Sequence, residues 1–130
     1  MCIFCDIIEG KIPSKVVYED ETTLAILDIS QTTYGHTLVM PKKHYDNFLQ
    51  MPAEEFADLM KKVQLVANKV VKNLNANGCN TLINTNEVAG QTVMHTHVHI
   101  IPRYDANDSI NIEFKENQYD LDEVLNKINK

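Results

Sequence analysis

The histidines of the segment MHTHVHIIPR, residues 94–103, are the residues best suited to chemistry in this chain. The chain holds five histidines, and His95, His97 and His99 occupy alternate positions in this segment. Side chains at alternate positions of a β-strand share one face of the sheet. The spacing therefore predicts three imidazoles on one face. They could hold a metal ion, react through their nitrogens, or serve as half-buried core residues.

Strand geometry argues against one metal ion bound by all three imidazoles. On a regular strand His95 and His99 would lie ~13–14 Å apart. An imidazole and a zinc–nitrogen bond of about 2.1 Å together reach only about 6 Å from each backbone position. A site using two adjacent histidines of the run stays open. A purely structural role fits the pattern less well, since burying several imidazoles without a use for them costs free energy.

Reaction through an imidazole nitrogen is the interpretation that the neighbouring residues favour. An imidazole with a pKa near ~6.5 is largely neutral at neutral pH and can attack an electrophile. Repulsion among three cations would keep at least one ring neutral. In the preceding loop EVAGQT, Gly90 permits close backbone approach, and the amides around Gln91 and Thr92, with the Thr92 hydroxyl, could bind phosphate oxygens. A plain hairpin turn explains these loop residues equally well.

Segments of strand and helix character must position this run. Stretches rich in β-branched and apolar residues predict strands over residues 16–20, 23–28, 36–43, 79–86 and 94–102. Apolar residues at steps of three and four predict a long helix from Pro52 to about Ala76. A short second helix is predicted by the same spacing in Leu121, Val124, Leu125 and Ile128. This order of elements indicates an α+β fold with a mostly antiparallel sheet.

Length and composition set limits on the class of protein. The 130 residues suit one domain over positions 1–130, and the formal net charge of −6 argues against a protein that coats nucleic acid. No stretch approaches the ~20 apolar residues that a membrane-spanning helix needs. The N-terminal residues lack the pattern of a secretory signal, and three cysteines fit a reducing compartment. We therefore expect a cytoplasmic protein without nucleic-acid or membrane partners.

The run from His95 to Ile101 resembles the pattern His-φ-His-φ-His-φ-φ of the histidine triad (HIT) superfamily, with Thr96 at a normally apolar position. The similarity extends through CIFCDIIEGKIPSKVVYEDETTLAILDI, GHTLVMPKKH and NTNEVAGQTVMHTHVHIIPR. These segments are most similar to the Hint-like branch and, within it, to zinc-bearing bacterial HIT proteins. The resemblance implies a HIT-like fold: a five-stranded antiparallel sheet with one long and one short C-terminal helix. It also implies a symmetric homodimer.

The activity that the resemblance implies is that of a nucleotide hydrolase or transferase. Its substrates would be nucleoside phosphoramidates or adenylated compounds attacked at the α-phosphate, with an AMP-like purine nucleotide as substrate or product. His97 would be the nucleophile and form a covalent nucleotidyl-histidine, its tautomer set by a backbone carbonyl such as that of His95. His99 would contact the phosphate or the leaving group, and His36 would orient its neighbours. The alternatives are a dinucleoside polyphosphate hydrolase and a non-catalytic nucleotide-binding module.

The resemblance also implies a set of nucleotide-binding residues. Asp28 would accept hydrogen bonds from the ribose hydroxyls. The base pocket would be lined by Phe4, Ile7, Ile26 and Ile29. The phosphate end would comprise Asn84, Gly90, Gln91 and Thr92, together with His97 and His99.

The pair Cys2 and Cys5 forms a C-x-x-C motif, which on its own is compatible with zinc, redox chemistry or coincidence. A thioredoxin-like pair should follow a strand and open a helix, and only Met1 precedes this one. The resemblance implies a structural Zn²⁺ site and no organic cofactor. Its ligands would be Cys2, Cys5, His44 and His95, a closed Cys₂His₂ set. His95 would then pin the N-terminal segment to the sheet.

Overall fold

The protein is built around a five-stranded antiparallel sheet in the computed structural model, which describes residues 2–130. The strands are β1 (Val16–Glu19), β2 (Thr23–Leu27), β3 (Thr37–Pro41), β4 (Gly78–Ile83) and β5 (Val98–Arg103). Their spatial order is β1-β2-β3-β5-β4. The predicted α+β fold with a five-stranded antiparallel sheet is confirmed.

Within residues 2–130, three α-helices accompany the sheet: α1 (Ile3–Ile8), α2 (Ala53–Asn73) and α3 (Leu121–Ile128). The long helix and the short C-terminal helix were predicted. Helix α1 was not predicted, because six residues are too few to show a helical period. Its first turn is capped by Cys2, whose Sγ accepts a hydrogen bond from the Cys5 amide at 3.4 Å. No helix among residues 2–130 is long and apolar enough to cross a membrane.

The two faces of the sheet carry separate hydrophobic cores. On one face α2 packs against β-strand residues such as Val39, Val98 and Ile100. On the other face Phe4 from α1 joins a second buried cluster, whose strand residues are Leu24, Ile26, Leu38 and Met40. The alternation of β2 and β3 side chains between these faces explains why almost all their residues are buried. The short helix α1 thus closes a core that would otherwise face water.

The histidine run does not form one continuous strand, which corrects the predicted boundary. β5 begins at Val98, so His95 and His97 precede it in an irregular segment. The reason is a tertiary contact: the Thr96 amide donates to the Tyr45 carbonyl at 2.8 Å instead of joining a strand ladder. Met94, the first residue of the predicted strand, has 41% of its surface exposed.

The predicted end of the long helix also shifts. α2 ends at Asn73, three residues before Ala76, and Asn75 follows with a positive φ of 56°. A left-handed residue of this kind ends a helix, and asparagine adopts that conformation more readily than most residues. β4 then begins at Gly78.

Candidate functional site

The five histidines gather in two groups. One group, the Cys–His cluster, consists of Cys2, Cys5, His44 and His95. The other, the triad cluster, consists of His36, His97 and His99, with Asp28 beside them. The irregular segment before β5 makes this division possible, because it lets His95 point to one group while its neighbours two and four positions on belong to the other.

The Cys–His cluster has the dimensions of a tetrahedral zinc site. The Nδ1 atoms of His44 and His95 lie 3.1 Å apart, and Cys5 Sγ lies 3.4 Å from the first and 3.6 Å from the second. Cys2 Sγ lies 3.5 Å from His95 Nδ1. Tetrahedral zinc with the usual bond lengths would separate two nitrogens by ~3.3 Å and a nitrogen from a sulfur by ~3.6 Å. The donor set and its spacing therefore fit Zn²⁺.

Both imidazoles of this cluster have an acceptor on their outer side. His95 Nε2 donates to the Pro41 carbonyl at 2.8 Å, and His44 Nε2 lies 2.8 Å from Asp46 Oδ1. A proton on each Nε2 leaves the Nδ1 lone pairs directed at the cysteines, which is the arrangement that outer partners of metal-bound histidines impose. Burial lowers the pKa of His95, which favours its neutral form. Burial and the neighbouring Cys2 raise the pKa of the Cys5 thiol to about 11.

His97 is held as a neutral ring with a free nitrogen. Its Nδ1 donates to the His95 carbonyl at 2.7 Å, so that the lone pair resides on Nε2. The side chain is 6% exposed, and burial lowers its pKa. The edge-on ring of Phe4, with a centroid distance of 5.0 Å, packs against it. An unprotonated, fixed imidazole nitrogen is a suitable nucleophile.

His99 receives its orientation from His36. The Thr32 amide donates to His36 Nδ1 at 3.3 Å, which favours the His36 tautomer with its proton on Nε2. That nitrogen lies 3.0 Å from His99 Nδ1 and can donate to it. His99 then carries its own proton on Nε2 and can donate a hydrogen bond outward. Burial, followed by repulsion from His97 and His36, lowers the pKa of His99 to about 4.

Gly35 fixes the approach of the chain to His36. It has a φ of 96°, and a Cβ atom there would collide with Leu74 Cδ1 just beyond α2. The positive φ therefore favours glycine at this position, and a side chain there would also require Leu74 to move. The Gly35 amide donates to Gln31 Oε1 at 2.8 Å, and Gln31 Nε2 donates to the His36 carbonyl at 2.8 Å.

Four of the predicted nucleotide-binding residues line one cleft of about 610 Å³. They are Ile7, Ile26, Asp28 and Ile29. Asp28 Oδ2 lies 3.6 Å from His36 Nε2, so this cleft reaches the triad cluster. Ile29 is fully exposed, whereas Phe4 is buried against His97 instead of lining the cleft. Gln31 and Tyr34 also line it, and sequence reasoning missed both because nothing in their type or spacing marks them.

The predicted phosphate residues lie in the loop between β4 and β5. Gly90 has a φ of 99°, and its carbonyl accepts from Asn84 Nδ2 at 3.5 Å. Thr92 is exposed and lines a different cleft, beside the Cys–His cluster. The structure therefore does not place Thr92 in the cleft that holds Asp28.

Gln91 is committed to the protein itself. Its Nε2 donates to the carbonyls of Asp46 and Val93 at 2.6 and 3.0 Å, and its Oε1 accepts from the Asn86 amide at 2.8 Å. The Gln91 amide in turn donates to the Asn86 carbonyl at 3.1 Å. We expected the backbone N–H of Gln91 to bind phosphate. In the structure this N–H instead donates to the Asn86 carbonyl, which corrects the expectation. Gln91 shapes the loop.

Comparison with known proteins finds that the HIT domain family model matches residues 9–106. An Arabidopsis thaliana protein named adenylylsulfatase HINT3 is 42% identical over 102 residues, which cover 78% of this chain and 52% of that protein. The chain thus spans about half of that relative's length.

Two solved structures share the fold. A histidine triad nucleotide-binding protein of Sulfolobus tokodaii has a TM-score of 0.79 and 40% identity, covering 98% of this chain and 88% of its own. A zinc-bound histidine triad family protein of Mycobacterium smegmatis has a TM-score of 0.77 and 41% identity, covering 82% of this chain and 77% of its own.

Proposed function

Since the chain belongs to the HIT domain family, some of whose members bind nucleotides or hydrolyse them, we propose that it is a nucleotide hydrolase or transferase that works through His97. Its substrates are purine nucleoside phosphoramidates or closely related adenylated compounds, attacked at the α-phosphate. The observation that carries the proposal is the 2.7 Å contact between His97 Nδ1 and the His95 carbonyl, which leaves Nε2 free to react.

The reaction proceeds in two displacements at phosphorus. His97 Nε2 attacks the α-phosphorus, the bond to the leaving group breaks, and a nucleotidyl-histidine forms. Water then attacks the same phosphorus, the phosphorus–nitrogen bond breaks, and the nucleoside monophosphate is released. His99 Nε2–H, held by the His36 hydrogen bond, donates to the phosphate or the leaving group and stabilises the charge that develops there.

The cleft beside the triad cluster is the proposed nucleotide site. Asp28 would accept from the ribose hydroxyls, and Ile7 and Ile26 supply apolar surface to a base. The remaining predicted contacts, Asn84, Gly90 and Thr92, are not among the residues that line this cleft, so a bound substrate would have to extend beyond it to reach them. We propose that they act on the phosphate end.

The two alternative activities gain no specific support. Arg103, the first cationic residue after the histidine run and thus a candidate contact for the extra phosphates of a dinucleoside polyphosphate, is engaged within the protein. Its guanidinium donates to Asn80 Oδ1 at 2.6 Å and to Asp108 Oδ2 at 3.1 Å. A module that only binds nucleotide would have no need for the fixed tautomer of His97.

We further propose that the Cys–His cluster binds one structural Zn²⁺. The cluster distances fit a tetrahedral ion, and a relative with the same fold is described as zinc-bound. A bound zinc supplies a crosslink between α1, the loop that carries His44 and the histidine run. The residues themselves place Phe4 against His97, so the crosslink would order one wall next to the nucleophile.

A symmetric homodimer is part of the proposal, and the sheet edges support it. At the β1 edge, a register shift between Val16 and Tyr18 and the charge of Glu19 oppose pairing with another strand. β4, the other edge, has the sequence GCNTLI with no charge and no proline. An unguarded edge of this kind favours pairing with a second copy. Sedimentation velocity should show one species of twice the chain mass.

The central experiment follows the nucleotide during turnover. We would incubate wild type and His97→Ala with an adenosine phosphoramidate, a diadenosine polyphosphate and AMP, and analyse the quenched protein by mass spectrometry without acid. The proposal expects an adenylyl adduct on His97 and AMP release from the phosphoramidate. Equal turnover by His97→Ala, or steady turnover without any adduct at His97, would contradict it. Faster turnover of the diadenosine compound would favour the rival substrate class.

A further inference from the structure

Thr96 is the residue at which the histidine run departs from the apolar pattern. It is 1% exposed, and its hydroxyl is not idle: Oγ1 donates to the Tyr45 carbonyl at 3.1 Å. The Thr96 amide donates to the same oxygen at 2.8 Å. One carbonyl therefore receives two hydrogen bonds from one residue. An apolar side chain here would retain the amide bond and lose the hydroxyl bond.

These two bonds join the segments that carry the imidazoles of the Cys–His cluster. Thr96 follows His95 directly, and Tyr45 follows His44 directly. The two ligand nitrogens lie 3.1 Å apart. A zinc site tolerates metal–ligand distances only within about 0.2 Å. Even a small shift of either segment would therefore spoil the geometry of the site.

His44 depends on such support more than the other ligands of the cluster. Its side chain is 40% exposed, and it lies on a loop outside the helices and strands. His95, by contrast, is completely buried and donates to Pro41 at the end of β3. The loop therefore has to be fixed to the buried ligand's segment for His44 to meet it.

We propose that Thr96 is a positioning residue for the metal site, whose hydroxyl fixes the His44 loop relative to His95 through the Tyr45 carbonyl. The inference rests on the zinc site proposed above. Thr96 thus has a supporting role of its own within the histidine run, between the proposed metal ligand His95 and the proposed nucleophile His97. The hydroxyl acts without bound metal, by holding the Nδ1 atoms of His44 and His95 at the separation that a shared zinc ion requires.

The test compares Thr96→Val, which removes the hydroxyl at nearly constant shape, with Thr96→Ser, which keeps it. Thr37→Val is the matched control, because Thr37 Oγ1 is also buried and donates to a backbone carbonyl, that of Gly35, at 2.8 Å. Zinc release to a coloured chelator is timed for the zinc-loaded protein. The visible spectrum of cobalt-substituted protein reports the ligand geometry.

We expect Thr96→Val to release zinc about five- to tenfold faster, in line with the loss of a supporting hydrogen bond. Its cobalt spectrum should change, and Thr96→Ser should restore both readouts. Wild-type rates in Thr96→Val, or the same acceleration in Thr37→Val, would overturn the inference. If Thr96→Val fails to fold, Thr96→Ala with the same readouts takes its place. Cys5→Ser should hold no zinc. If the wild type also held none, the metal site itself would be overturned.

Discussion

The Cys–His cluster and the triad cluster contain the same side chain in two opposite settings. In the first, the outer nitrogens of His44 and His95 face acceptors, so their protons point away from the cluster centre. In the second, the outer nitrogen of His36 faces the Thr32 N–H, so its proton points inward to His99. Lone pairs converge in one cluster, and an N–H meets a lone pair in the other.

This difference separates a metal site from a hydrogen-bond relay. Asp28, His36 and His99 also bring three possible ligand atoms within 4.8 Å of one another. A metal at His36 Nε2 would need the proton to move to Nδ1, where it would oppose the Thr32 amide. Distance between ligand atoms alone does not distinguish the two clusters. The two clusters are distinguished by the hydrogen-bond partner of the outer ring nitrogen, which is an acceptor for His44 and His95 and a donor for His36.

The largest expected effect separates the clusters by activity. His97→Ala should lower phosphoramidate turnover by at least about a thousandfold, because it removes the nucleophile. It should leave zinc content at the wild-type value, since its side chain is outside the Cys–His cluster. Steady-state assays and metal analysis on the same sample test both points. Loss of zinc in this variant would mean that the two clusters are not independent.

The second prediction reverses that pattern. Cys5→Ser should abolish stoichiometric zinc and lower the free energy of unfolding. With zinc at a hundredfold over its Kd, mass action makes the difference about 2.7 kcal/mol. Urea unfolding with and without a chelator measures it. A chelator that destabilises wild type and Cys5→Ser equally would show that the cluster contributes no metal-dependent stability.

A smaller effect is expected from the relay. His36→Phe keeps a ring but removes the N–H that faces His99, and we expect kcat to fall by about ten- to a hundredfold with KM little changed. The ¹⁵N shifts of His99 should show a change of tautomer. Unchanged kcat together with an unchanged His99 tautomer would remove His36 from the mechanism.

The smallest effect concerns pH. Because the pKa of His99 is lowered to about 4 in the folded protein, the unfolded chain binds more protons between about pH 6.5 and 4. Stability should therefore fall as the pH drops through this window. Urea unfolding in the Cys5→Ser background isolates the effect from metal ligation. His99→Gln should show a shallower pH dependence there, and an identical slope would contradict the lowered pKa of His99.

Much of the scaffold was predictable because its elements are long enough to show a period. The apolar steps along α2 and the β-branched runs of β2 and β3 identified those elements to within a few residues. Helix α1 has no such signal. The break of the histidine run at Thr96 depends on the Tyr45 carbonyl, fifty-one positions away in the chain, and local pattern contains no trace of it.

The candidate site divides in the same way. Residue type and spacing drew attention to all the histidines of the run, and the resemblance assigned each to a role. The structure alone shows that the Gln91 side chain bonds to the Asp46 carbonyl and that Phe4 faces His97 rather than the open cleft. Such facts arise from which groups meet across the fold. Contacts between residues that are distant in the chain leave no local pattern in one sequence.

The glycine before His36 has a consequence for how this protein can change over time. The Cδ1 atom of Leu74 packs directly against Gly35, where a Cβ atom would otherwise lie. Lengthening or shortening the turn after α2 would move Leu74, and the histidine relay would move with it. Insertions should thus be tolerated in the exposed C-terminal segment yet rejected at residues 74–77, a difference that a scan of single-residue insertions would reveal as a sharp local boundary.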